Sequence, residues 1–131
     1  MNSRKKFRQN KNKTRNKRGG GPQEDAELFH AVDTGQSVSL IKLILDNGAN
    51  INARSSSQRT PLHKACINGN MDLVVALVNQ DADVDARDNN KLTPLHHACI
   101  TGIMEVVMAL VDRGADVDAR DAAQMTPLHW A

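Results

Sequence analysis

One four-residue sequence, Thr60-Pro61-Leu62-His63, decides the fold because it returns twice at a constant distance. The same residues stand at 93–96 and at 126–129, so the period is 33 residues. An ungapped comparison of residues 55–87 with 88–120 gives 19 identities in 33 positions. A period of this length is typical of proteins that stack small repeated units side by side.

Each unit has the features of two short helices followed by a loop. Thr60 can cap the first helix, Pro61 suits its first position, and Gly69 can end it. An apolar stripe with the spacing i, i+1, i+4, i+5 follows and predicts the second helix. The stripe recurs as Leu40, Ile41, Ile44 and Leu45, as Leu73, Val74, Leu77 and Val78, and as Val106, Val107, Leu110 and Val111.

The motif Thr-Pro-Leu-His-x-Ala at a 33-residue period resembles the signature of the ankyrin-repeat family, over about residues 24–131. The resemblance implies an all-α repeat fold, in which antiparallel helix pairs with projecting hairpin loops stack into a curved solenoid. It also implies that the signature histidine is structural and bonds the threonine hydroxyl and backbone at the helix start. Helices of about eight to ten residues are marginal alone, so packing between repeats must stabilise them.

The repeats divide the domain into four units, of which the outer two are irregular. The first lacks Thr-Pro and carries a small insertion, which fits a capping repeat, and the last lacks its second helix. We therefore expect a fragment, a short isoform or an incomplete gene model. The units are residues 24–54, 55–87, 88–120 and 121–131.

Asp81 departs from the repeat pattern, because Gly48 and Gly114 hold the equivalent positions. If the backbone is left-handed there, aspartate tolerates it less well than glycine. We expect this turn to be weaker than its two counterparts.

Charge is divided along the chain. Residues 1–18 contain nine basic residues and no acid, for +9, whereas residues 24–131 contain eight basic and fifteen acidic residues, for −7; together they give the net charge of +2. So many like charges prevent a segment from burying enough apolar area to fold, and we predict that residues 1–23 form a disordered basic tail. Its basic residues are Arg4, Lys5, Lys6, Arg8, Lys11, Lys13, Arg15, Lys17 and Arg18.

Three roles are open for this tail: a nuclear-import signal, a nucleic-acid contact, or an incidental solvated segment. The chain has two cysteines, no signal peptide and no apolar run of eighteen residues. These features predict a protein of the nucleus or cytoplasm, without a membrane partner.

The sequence offers little for catalysis. His63 with Cys66, and His96 with Cys99, stand three apart on helices whose axes should be about 8 to 10 Å apart, which is too far for one zinc ion to join them. No nucleophile turn and no phosphate-binding glycine loop occurs. We predict no catalytic residue, no cofactor and no metal, and we interpret the loop aspartates as a solvated acidic rim. Those aspartates are Asp83, Asp85, Asp116 and Asp118.

Positions that differ between repeats are free to contact a partner. They gather at the loop tips, residues 55–59, 88–92 and 121–125, and at the variable position of the signature, which we expect on the concave side. We predict an adaptor or regulatory subunit that binds a protein partner there. Candidate contacts are Arg59, Lys64, Asn90, Lys91, Leu92, His97, Gln124, Met125 and Trp130.

Two other functions remain open. One is a nucleic-acid-associated protein that contacts phosphates through the basic tail. The other is the targeting end of a larger enzyme. We expect a monomer, unless self-association covers the truncated last repeat.

Overall fold

The computed structural model describes residues 22–131, and every regular element in that range is a helix. Residues 1–21 of the predicted basic tail lie outside the described residues. The last two residues of the segment assigned to the tail, 22 and 23, belong to the first helix, which begins at Pro22. The helices are α1 (Pro22–Asp33), α2 (Val38–Asp46), α3 (Pro61–Asn68), α4 (Met71–Asn79), α5 (Pro94–Thr101), α6 (Met104–Asp112) and α7 (Pro127–Trp130).

The helices form two layers, as the resemblance to the ankyrin-repeat family implied. The first helices of successive repeats, α1, α3, α5 and α7, pack against one another in chain order. The second helices, α2, α4 and α6, form the other layer, and each packs against the first helix of its own repeat. The loops that join one repeat to the next therefore lie side by side along one edge of the stack.

The predicted helix boundaries of the second repeat are confirmed. The Thr60 hydroxyl accepts a hydrogen bond from the His63 amide, and Pro61 is the first residue of α3. Gly69 ends the helix in a left-handed conformation, with φ 69°. Thr93 and Gly102 do the same for α5.

The core is aliphatic, as the near absence of aromatic residues predicts. Its largest fully buried apolar side chains come from both helix layers, and those of the second helices belong to the apolar stripes. They are Leu28, Val32, Ile41, Leu62, Leu73, Val74, Leu77, Val106 and Leu110.

The turn at Asp81 has the left-handed backbone that the comparison with glycine anticipated. Asp81 has φ 65°, while Gly48 and Gly114 have φ 109° and 83°. An L-residue loses roughly 1–2 kcal/mol in this conformation, so the second repeat carries a local strain that its neighbours avoid.

The first repeat differs from the others in its first helix. α1 has 12 residues, whereas α3 and α5 have 8. Leu28 and Ala31 are buried in α1 as Leu62 and Ala65 are in α3, so the two helices share one register. In that register Phe29 occupies the place of the signature histidine.

No helix among residues 22–131 is long and apolar enough to cross a membrane.

Candidate partner-binding surface

Each loop tip is a tight turn held by its own first residue. In the second tip, the Asp88 amide donates to the Leu92 carbonyl at 3.0 Å, and the Asp88 carboxylate accepts from the amides of Asn90 and Leu92 at 2.9 and 3.0 Å. Asp121 closes the third tip in the same way. In the first tip the Ser55 hydroxyl oxygen takes the place of the carboxylate.

The three tips are joined into one ridge. The Asn89 amide donates to the Ser57 carbonyl at 3.0 Å, and the Ala122 amide donates to the Asn90 carbonyl at 2.9 Å. Because these bonds run between backbones, the side chains of the tips stay available for other contacts.

The tip turns place a residue with positive φ in each repeat. Gln58, Lys91 and Gln124 have φ between 61° and 65°, and all three side chains are exposed. Such a conformation is uncommon for residues other than glycine, and the surrounding hydrogen bonds must maintain it.

The signature histidines are structural, as the resemblance implied. Nδ1 of His63 accepts from the Thr60 amide at 3.0 Å, and its protonated Nε2 therefore donates to the Leu92 carbonyl of the next tip at 2.9 Å. His96 makes the same pair of bonds, with Thr93 and the Met125 carbonyl. Burial lowers the pKa of His63 from 6.5 to about 4, so this ring is neutral at physiological pH.

His97 was expected to contact a partner, and the structure differs at this position. Its side chain is 7 % exposed, and Nε2 lies 3.0 Å from Oδ2 of Asp88. Burial lowers the pKa of His97 although Asp88 opposes the change. Burial would raise the pKa of Asp88, but hydrogen bonds from His97 and from the amides of Leu92 and Asn90 lower it overall. His97 is therefore part of the support of the second tip rather than a free contact.

Trp130 has the same relation to the third tip. Its indole Nε1 donates to Oδ2 of Asp121 at 2.8 Å, although part of the ring remains exposed. In the second repeat the equivalent residue, Lys64, lies instead 3.8 Å from Asp33. The sequence contained a signal for these contacts: an aspartate stands nine residues before both His97 and Trp130.

The other candidate contacts divide into two groups. Asn90, Lys91 and Gln124 are exposed on the ridge of tips. Arg59, Lys64, Leu92 and Met125 are half-buried, and Arg59 also lies 3.4 Å from the Asp88 carboxylate.

One cluster of the described residues has the composition of a metal site. Donor atoms of His63, Asp88 and His97 lie within 4.8 Å of one another. A metal ion on Nε2 of His63 would need the ring proton on Nδ1, which would break the bond from the Thr60 amide. Because the same bond recurs in the next repeat without such a cluster, we interpret the three side chains as structural.

The two cysteines are buried free thiols. Burial raises the pKa of Cys66 to about 12, and it also raises the pKa of Cys99. A thiol that stays protonated is a poor nucleophile.

The loop aspartates are exposed, as the acidic-rim interpretation expected, and they also connect the repeats. Oδ1 of Asp85 accepts from the Asp116 amide at 2.8 Å, and Oδ1 of Asn52 accepts from the Asp83 amide at 2.9 Å. Asp25 of α1 makes the equivalent bond to the Asn50 amide at 2.8 Å.

A groove of about 500 Å³ lies between α1 and the first loop. Phe29 lines it where later repeats place the histidine that bonds the next tip. Asp25 and Arg54 also line the groove, so it presents both charges beside an aromatic ring. It lies at the end of the ridge of loop tips.

A family model described as ankyrin repeats, in three copies, matches residues 28–121, which is more than half of the chain. A search of curated proteins found no match. Ankyrin repeats are generally protein–protein interaction modules. The match, the 33-residue period and the paired helix layers agree, and the chain belongs to the ankyrin-repeat family.

Proposed function

We propose that this chain is a non-catalytic adaptor or regulatory subunit, and that its protein partner binds along the ridge of loop tips and the adjoining concave helix face. One observation carries the proposal. Most positions that repeat between units are buried or bonded within the stack, whereas every position of the tips varies between repeats and most tip residues are exposed or half-buried.

The ridge has properties that favour binding. Its turns are fixed by hydrogen bonds before a partner arrives, so little conformational entropy is lost on association. Lys91 and Arg59 offer charged groups, and Leu92 and Met125 offer apolar area. With His97 excluded, the proposed contacts are Arg59, Lys64, Asn90, Lys91, Leu92, Gln124, Met125 and Trp130.

A photoreactive residue can test where the partner binds. Placed at Lys91, it should form a cross-link to a partner protein in cells; placed at Met108, an exposed residue on the outer helix layer, it should not. Equal cross-linking from both positions would contradict the assignment of the surface.

A tip variant tests the energetic importance of the same residues. Asn90→Ala, Lys91→Ala and Gln124→Ala combined should weaken capture of the cross-linked partner by at least about tenfold, if each truncation costs about 0.5–1 kcal/mol. Circular dichroism should show unchanged helix content, because these side chains are exposed. The matched control combines Lys42→Ala with Met108→Ala on the outer layer.

The alternative, a nucleic-acid-associated protein, is favoured by the +9 charge of residues 1–18. It predicts that the affinity for RNA or DNA falls steeply with salt and disappears when residues 1–21 are deleted. An adaptor would keep its protein partner after the same deletion. For either function we propose location in the nucleus or the cytoplasm.

A further inference from the structure

Three arginines stand at equivalent positions, one at the base of each loop tip. We call Arg54, Arg87 and Arg120 the arginine row; all three are exposed. Nη1 of Arg54 donates to the Arg87 carbonyl, and Nη1 of Arg87 donates to the Arg120 carbonyl at 2.8 Å. Nη1 of Arg54 and of Arg120 also donate to carbonyls of their own tips, at 3.0 Å each. Each guanidinium is therefore held in place by backbone oxygens.

The positive charge of the row is not neutralised by a close carboxylate within residues 22–131. Arg59 lies 3.4 Å from Asp88, but no carboxylate of the described residues lies within 4.0 Å of the row. The Nε and Nη2 groups of the row also make no hydrogen bond within the same range. A fixed guanidinium with open donors suits bidentate binding of a carboxylate.

Neighbouring acids make the row unequal along its length. Asp85 stands two residues before Arg87, and Asp118 stands two residues before Arg120. Asn52 holds the equivalent position before Arg54, and the loop from residue 50 to 59 contains two arginines and no acid. Among the three loops the local charge is therefore most positive around Arg54, beside the groove that contains Phe29, where Asp25 of α1 is the acid that lines the same groove.

The spacing of the row sets the register of a ligand. Stacked helices lie roughly 10 Å apart, so successive arginines are separated by about that distance. A segment in polyproline II conformation advances about 3.1 Å per residue with three residues per turn, so every third side chain lies on the same face and would meet the next arginine.

We propose that the arginine row binds an acidic segment of a partner protein in polyproline II conformation, with acidic side chains at every third residue and the first of them at Arg54. This inference rests on the proposed function, since it names the chemistry of the partner that the ridge binds.

Two synthetic peptides of equal composition test the inference on the full-length chain. One carries glutamates at positions 1, 4 and 7 of a serine-glycine background, and the other carries them at positions 1, 3 and 5. The first should bind about threefold more tightly, as one additional exposed ion pair contributes about 0.2–1 kcal/mol. In NMR spectra, the Nε–H signals of the row should shift on titration, with the largest change at Arg54.

Variants separate the row from the rest of the molecule. Arg54→Gln, Arg87→Gln and Arg120→Gln combined should weaken binding of the first peptide about tenfold, whereas Arg113→Gln should leave it unchanged. Arg113 is the matched control, because it is exposed and also bonds across repeats, to Asn79, on the outer layer. A triple Arg→Lys variant keeps the charge without the planar guanidinium, and its affinity for the first peptide should lie between those of the unchanged chain and the triple Gln variant. The basic tail is common to all variants, so its own binding cancels in the comparison.

Equal affinity for the two peptides, or unchanged affinity in the triple Gln variant with helix content preserved, would overturn the inference. The proposed function can survive that result: a partner that still cross-links at Lys91 of the triple Gln variant supports binding at the ridge and refutes only the acidic segment.

Discussion

The middle and the C-terminal end of the stack carry the same signature but bury it differently. Leu62 in α3 and Leu95 in α5 are 0 % and 2 % exposed, whereas Leu128 in α7 is 79 % exposed. Val78 in α4 is 4 % exposed, and its equivalent Val111 in α6 is 42 % exposed. The local structure is nevertheless alike, since Thr126 and His129 make the same side-chain contact as Thr60 and His63.

The difference shows that the signature defines a helix start, whereas neighbouring repeats supply the burial that stabilises it. A periodic chain of this kind gains its stability from interfaces between adjacent units. Equivalent substitutions in the middle and at the end should therefore have unequal effects on the free energy of unfolding.

The largest contrast should come from the signature leucine. Leu62→Ala should lower the free energy of unfolding by about 3 kcal/mol, because it leaves a cavity in the core. Leu128→Ala should change it by less than about 0.5 kcal/mol, because the side chain is already exposed. Urea denaturation followed by circular dichroism measures both, and similar losses would mean that the end of the stack is covered in solution.

The second-largest effect should come from acid, which should lower the free energy of unfolding through groups in the middle of the stack. The folded-state pKa of His63 is about 4, below its value of 6.5 in the unfolded chain, so the unfolded chain binds the proton first. Its contribution to stability is complete above pH 6.5 and is lost as the pH falls from 6.5 toward 4. The loss should reach roughly 2–3 kcal/mol, since each unit of pKa difference corresponds to about 1.4 kcal/mol. His97, whose pKa is also lowered, acts in the same direction.

Urea titrations between pH 7 and pH 4.5 measure this dependence. His63→Gln should reduce the dependence of the free energy of unfolding on pH. The matched variant His129→Gln, at the exposed end, should leave that dependence unchanged. A profile that keeps its slope in His63→Gln would assign the effect to other groups.

A smaller contrast is expected at the helix caps. The Thr60 hydroxyl accepts from the His63 amide at 3.3 Å and is 1 % exposed, whereas the equivalent cap Thr126 is half-buried at the end of the stack. Thr60→Ala should cost about 1–2 kcal/mol and Thr126→Ala a few tenths. Equal costs in thermal denaturation would contradict the role assigned to the buried cap.

The smallest effect should be a gain. Asp81→Gly relieves the left-handed strain of the turn after α4, and we expect about 0.5–1 kcal/mol of added stability. Gly114→Asp is the reverse substitution at the exposed end and should lower stability by a similar amount. A decrease in the melting temperature of Asp81→Gly would show that the aspartate side chain compensates for its backbone.

The period and the caps made most of the fold predictable from sequence. Thr60, Pro61 and Gly69 act through bonds within one helix, and their effects can be derived from neighbouring residues alone. The length of α1 could not be derived, because no threonine cap precedes Leu28 and the helix extends back to Pro22.

The exposure of the loop tips was predictable from the sequence, but the contacts of individual side chains were not. Exposure of Lys91 and Gln124 follows from their place in a variable loop, whereas the burial of His97 depends on a loop that folds back nine residues to place Asp88 beside it. The bonds of the arginine row could not be predicted from the sequence for a related reason. They are made to backbone carbonyl groups, which every residue has and which no sequence motif identifies.

Those carbonyl acceptors have a consequence for evolution. A hydrogen bond to a main-chain oxygen does not depend on which side chain the accepting residue carries. The tip residues can therefore be substituted without loss of these bonds between repeats. New specificities can therefore arise by substitution at the ridge while the underlying architecture is inherited intact.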